Sequence, residues 1–219
     1  MSCASKISSI IEATPVGQPF CTRDVLKCGS RTAVDKTLSR FVNDNIICRL
    51  ANGVFMRMNT DTPLPSIWEI AKIKSAAFGK EIVEYGGTLA HKFGLVTEAP
   101  AKPAFYTNGN STSFRYLSLG IRIRLKSASK KRMQLKETPQ GKIVRALWHM
   151  GDQDSFDKLI EKALAQFPIP EMREILALSK AWMPAWLAAY FPTPHLFTIP
   201  DALTRDIYYD SNFAPASSA

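Results

Sequence analysis

Ser30-Arg31-Thr32-Ala33-Val34-Asp35-Lys36-Thr37-Leu38-Ser39-Arg40-Phe41-Val42-Asn43-Asp44 reads as a helix with two unlike faces. At about 100° per residue, Val34, Thr37, Leu38 and Phe41 gather on one side, with Val42 nearby and Asn45 in line with them. Thr32, Lys36, Ser39, Arg40 and Asn43 fall on the other. Ser30 is the natural N-cap of a helix over Arg31–Asp44, and Arg31 stands at its phosphate-friendly end. Working back along the chain, Ser5–Thr14 forms a helix with Ile7, Ile10 and Ile11 on one face, broken by the loop Pro15–Pro19. Thr22 is expected to cap a short helix, Arg23–Lys27, that stops at Gly29 through a positive φ. Working forward, Ile46–Leu50 and Val54–Met58 flank Ala51-Asn52-Gly53, and Asn-Gly between β-rich runs signals a hairpin. Three helices and a hairpin within residues 1–58 spell a winged helix-turn-helix, a shape that sets one helix in a DNA groove.

The apolar face is expected to pack on the first two helices, and the polar face to meet base edges and phosphates. The expected DNA-binding set is Arg23, Ser30, Arg31, Thr32, Lys36, Ser39 and Arg40, joined by Arg49 on the hairpin and Asn52 at its tip. Residues 1–58 hold eight lysines and arginines against four acids, a net charge of +4. The whole chain of 219 residues carries +9, which favours a polyanionic partner, most simply double-stranded DNA. No apolar run approaches the roughly 20 residues of a membrane span, and Met1–Lys6 lacks the apolar core of a signal peptide. A cytoplasmic protein without a membrane partner is therefore expected. The four cysteines, Cys3, Cys21, Cys28 and Cys48, have poor zinc spacing and read as reduced thiols.

Residues 59–66, with Pro63 and Pro65, read as a linker, 67–200 as a mixed α/β domain with a helical C-terminal region, and 201–219 as a tail. The fold class is thus α+β. Within 67–200, helices are expected over 67–78, 88–93, 139–150, 152–166, 170–178 and 180–190, and strands over 103–107, 113–117 and 121–126, with a strand-like piece at 81–85. A short helix is expected near 201–208. Ile121-Arg122-Ile123-Arg124-Leu125-Lys126 alternates apolar and cationic residues, so one face is buried and the other charged. Arg122, Arg124, Lys126, Lys130, Lys131 and Arg132 form a second basic surface: either a solubilising edge strand and loop, or another polyanion site.

The chain has no Gly-rich phosphate loop, no dinucleotide turn and no paired histidines, and neither catalytic residues, metal nor cofactor are expected. Acids that could hold magnesium occur as Glu81/Glu84 and Asp152/Asp154/Asp157, but Glu81 and Glu84, three residues apart on a strand, face opposite sides, and Asp152 and Asp154 more simply start a helix.

Phe20–Leu26, Gly29–Arg40, Ile46–Leu50 and Gly53–Phe55 together resemble the N-terminal domain of AbiEi-type antitoxins. These are the transcriptional-regulator halves of bacterial abortive-infection, type IV toxin–antitoxin pairs. Gly87–Pro103, Tyr106–Gly109 and Ile121–Leu125 continue the resemblance, which covers roughly residues 5–150. It implies an autorepressor that binds promoter repeats, with Arg31, Thr32, Lys36, Ser39 and Arg40 at the recognition positions. It also implies a C-terminal domain that neutralises a cognate nucleotidyltransferase-like toxin. Two other roles remain open on the residues alone: a toxin- or protein-binding module with a vestigial wing, and a metal-dependent nuclease.

Overall fold

The computed structural model describes residues 1–192. Helix α1, Cys3–Ala13, opens where Ser2 Oγ accepts the Ser5 N–H, two residues before the apolar spacing predicts. Strand β1, Pro19–Cys21, then occupies part of the expected loop. Three residues are too few for alternation to register in sequence. Thr22–Cys28 is a 3₁₀ turn, and Thr22 is not its cap. The Asp24 carboxylate instead accepts the Cys21 N–H at 2.7 Å, while the Thr22 hydroxyl turns to the Gly53 carbonyl at 3.5 Å. Gly29 is extended, with φ 175°, rather than left-handed. A Cβ there would lie 2.8 Å from Cys3 Sγ, so close approach of α1 is what requires glycine.

Helix α2, Arg31–Asn43, starts as expected from Ser30, whose Oγ accepts the Ala33 N–H at 3.3 Å. Val34, Thr37, Leu38 and Phe41 are buried on its inner face. Asn45 departs from that face: the helix ends before it, and it is exposed with φ 57°. Strands β2, Cys48–Ala51, and β3, Val54–Met56, form the hairpin. Of the two turn residues only Gly53 has positive φ, at 74°, so the turn is not type I′. The antiparallel sheet runs β1-β3-β2, with β3 in the middle.

All three residues of β3 are buried, and their alternation feeds two cores. Phe55 joins Ile7, Val25, Leu38 and Phe41 beneath the helices. Val54 and Met56 join Ile70, Ile82, Tyr116 and Ile123 on the far side. The segment 59–66 therefore does not separate two independent cores. Two bonds fasten the same junction. The Leu117 N–H donates to Leu50 O at 2.7 Å, and Tyr116 Oη donates to Pro65 O at 2.8 Å.

Helix α3, Ile67–Ala76, begins with a reciprocal Ser66–Glu69 capping box. The elements after it are β4, Ile82–Glu84, α4, Gly86–Lys92, β5, Ala104–Thr107, β6, Thr112–Tyr116, and β7, Ile121–Ser127. Their sheet runs β4-β5-β7-β6, with β5 and β7 parallel and the other pairs antiparallel. β7 is interior, which corrects the edge-strand reading: the edges are β4 and β6.

A helix not expected from sequence, α5, Lys130–Gln134, follows under a Ser129 cap. Helix α6, Pro139–Met150, matches its predicted span. Helix α7, Phe156–Leu164, starts late because Ser155 is left-handed, with φ 60°. Helix α8 covers Met172–Leu178. The helix expected over 180–190 is split before Pro184 into a 3₁₀ turn, Lys180–Trp182, and α9, Ala185–Ala189. Leu89, Ile143, Leu147, Phe156, Ile160 and Leu176 knit α4 and these helices into a C-terminal core. The architecture is mixed α and β: a helical N-terminal region, sheets, and a helical C-terminal region. The helix expected near 201–208 and the tail lie outside the described residues. Among the described residues no helix is long and apolar enough to cross a membrane.

Candidate nucleic-acid interface

The outer face of α2 is open. Thr32, Lys36, Arg40 and Asn43 are exposed, and Ser39 is half-buried. With Asp35 and Asp44 they line a shallow groove along the helix. Among the described residues Thr32, Lys36 and Asn43 have no side-chain partner. Arg40 lies 5.7 Å from the centroid of the Phe41 ring. Arg31 pairs with Asp35 one turn on, Nε to Oδ2 2.8 Å, with both side chains largely in solvent. An exposed pair of this kind contributes only a few tenths of a kcal/mol and is easily exchanged for phosphate.

The rest of the expected set is more occupied. Ser30 caps α2. Arg49 spans from the hairpin to α2: its guanidinium lies 5.4 Å from the Phe55 centroid, and Nη2 donates to Ser39 Oγ at 3.4 Å. Its Nε is buried without a partner among the described residues. Arg31, Ser39, Arg49 and Asn52 do come together, around a cleft between α2 and the hairpin. Arg23 instead donates to the Ala77 carbonyl past the end of α3, at 3.0 Å. The hairpin tip is also tied down, because Lys74 Nζ on α3 donates to the Asn52 carbonyl. Burial pushes the Lys74 ammonium below its usual pKa. Arg57, just after β3, donates to the carbonyls of Ile11, Glu12 and Thr14 at 3.1, 2.9 and 3.2 Å. It closes the C-terminal end of α1 and is not free for phosphate.

The second basic surface divides in two. Arg122 and Arg124 are exposed on the face of the sheet opposite Ile123 and Leu125. Arg115 on β6, overlooked in sequence, stands directly across from Arg122, and Ser113 across from Arg124. The alternation of Ser113-Phe114-Arg115-Tyr116 was its available signal. Lys126 and Arg132 are spent on aromatic rings. Lys126 Nζ is 4.0 Å above Tyr85, and the Arg132 guanidinium is 4.3 Å from Trp148 and 5.1 Å from Tyr106. Burial, together with these two cations, lowers the pKa of nearby His149. Lys130 and Lys131 are exposed on α5.

Glu81 and Glu84 do not converge. Glu84 pairs with Lys92 and with Lys142, the latter at 3.5 Å. Beside it, Glu137 pairs with Arg145, which is 1% exposed and also donates to the carbonyls of Glu84 and Lys136. This arrangement neutralises Glu84 and anchors α6 to β4. Among the described residues no group of three or more His, Cys, Asp or Glu could hold a metal. The four cysteines are free thiols.

A family of unknown function, DUF6088, matches residues 6–168, which include both sheets and the open face of α2. The chain belongs to DUF6088. The family span takes in the shared core around β3 as well as α6 and α7, and leaves out the described residues from 169 onward. No curated protein matches the chain.

Proposed function

We propose that this DUF6088 member is a DNA-binding transcriptional regulator whose N-terminal unit acts as a winged helix-turn-helix. In this reading α2 enters the major groove of operator repeats. One observation carries it: Thr32, Lys36, Arg40 and Asn43 present donors and cations outward from a helix whose inner face is locked into the core. Arg and Lys favour guanine edges, and Asn favours adenine. The resemblance to AbiEi-type antitoxins extends the proposal to an autorepressor in the cytoplasm, with a nucleotidyltransferase-like toxin as its partner.

The test is fluorescence anisotropy with a duplex from the region upstream of the gene. Binding should weaken with salt, at a slope near −4 for about four or five phosphates contacted. Lys36→Ala with Arg40→Ala should weaken it by about 1–3 kcal/mol for each base no longer read. Unchanged affinity in that double variant would remove α2 from the DNA. A second reading, a protein-binding module with a wing that does not touch DNA, is favoured by the hairpin tip being tied to α3 through Lys74. Co-purification of the neighbouring gene product by a chain with no affinity for the upstream duplex would support that reading instead.

A further inference from the structure

A cavity of about 370 Å³ opens between the C-terminal end of α3 and the corner joining β5 to β6. Phe78, Phe114 and Leu125 supply apolar wall, and Lys74 and Lys80 supply positive charge. No carboxylate lines it. Three features set it apart from an ordinary surface dent. First, Phe78 is 69% exposed and lines the cavity, so its ring offers apolar surface to whatever enters. Second, Ser75 is only 3% exposed, yet its Oγ has no hydrogen-bond partner among the described residues. Serines in helices usually return their hydroxyl to the carbonyl four residues back, and a buried hydroxyl left unpaired is unfavourable. Third, Lys74 is partly desolvated and has no carboxylate partner: its ammonium donates to the Asn52 carbonyl and lies 5.7 Å from the Phe78 ring centroid. An ammonium without a carboxylate partner stands beside apolar wall in a space of small-molecule size, with the buried Ser75 hydroxyl behind that wall.

We infer that this cavity is a binding site for a small anion with an apolar body, an aromatic or short-chain carboxylate or sulfonate. The apolar body packs against Phe78, Phe114 and Leu125. The anionic head meets Lys80, and the charge of Lys74 nearby adds to the attraction. The site is separate from the outer face of α2, and its test contains no DNA.

The probe is 8-anilinonaphthalene-1-sulfonate, an aromatic sulfonate that fluoresces on entering apolar surroundings, titrated into the full chain. A saturable response from one site is expected, with benzoate displacing the dye. Thr112 is exposed on edge strand β6 and lines the cavity. Thr112→Trp should therefore plug the cavity, and Lys80→Glu should reverse the charge at its mouth. Each should weaken binding about tenfold, with thermal melts showing that both variants fold. A response absent from the native chain, or unchanged in both variants, overturns the site. So does a response lost instead in Arg122→Ala/Arg124→Ala, which would show the dye on the open sheet face.

Discussion

Helix α2 and strand β7 both carry rows of cations, but they hold them differently. On α2, Lys36 extends into solvent and Arg31 has only a surface partner, while Arg40 rests beside one ring. On β7 and the segment after it, Arg122 and Arg124 are exposed, Arg122 donating to Ser113 Oγ at 3.2 Å, while Lys126 and Arg132 lie over tyrosine and tryptophan rings. The difference teaches that a basic residue in sequence is a candidate for phosphate only where no carbonyl holds it and any ring beside it leaves it exposed, as Phe41 leaves Arg40. By that measure Arg23 leaves the expected DNA-binding set, Arg57 stays outside it, Arg49 becomes a bridge that positions Ser39, and Arg115 enters the second surface.

The sharpest way to break this contrast is the Lys36→Ala/Arg40→Ala variant, which should lose sequence-specific DNA affinity by tenfold or more while keeping its melting temperature. Arg57→Ala should do the reverse. Its guanidinium satisfies three carbonyls at the end of α1, and hydrogen bonds from charged groups contribute about 1.5–3 kcal/mol each, less where water reaches them. A loss of about 2 kcal/mol in urea unfolding is expected, with the remaining folded chain binding DNA normally. If Arg57→Ala instead left stability intact and abolished binding, the division between structural and DNA-facing cations would fail. Ser75→Ala comes next. It removes an unpaired buried hydroxyl from α3 and substitutes a better helix former, so it should stabilise the chain by about 1 kcal/mol. A destabilised Ser75→Ala chain would mean that the hydroxyl already has a partner.

The helices were largely legible because apolar spacing and caps agree. Ser30, Ser66 and Thr138 all cap helices that sequence places there. β1 and α5 were not, since three and five residues show no period. The joint core was harder still. Val54-Phe55-Met56 is a continuous apolar run, and such a run signals a strand buried on both faces without naming what covers the second one. Only the fold reveals that it is α3 and the second sheet. The hydrogen bonds that decide which cations are free link residues far apart in sequence, such as Arg23 with Ala77 and Arg57 with Glu12. Composition and periodicity carry no trace of them. The outer face of α2 was legible because its fate is settled within one helix.

The smallest expected effect tests whether the open half of β7 is a site or only a solvated face. Arg115 and Arg122 oppose each other directly across β6 and β7. Like charges in that position are destabilising by a few tenths of a kcal/mol up to about 1. Arg122→Thr should therefore raise stability slightly, by at most about 0.5 kcal/mol, since threonine is well suited to strands and the exposed bond to Ser113 Oγ that is lost contributes little. If the face binds a polyanion, the same variant should weaken DNA affinity for every sequence alike and reduce the salt slope by about one. Stability gained with binding unchanged would mark the face as solvated surface, and the tolerated repulsion would need another explanation. Stability gained with affinity reduced uniformly would mean that β7 holds phosphate without reading sequence, while α2 does the reading.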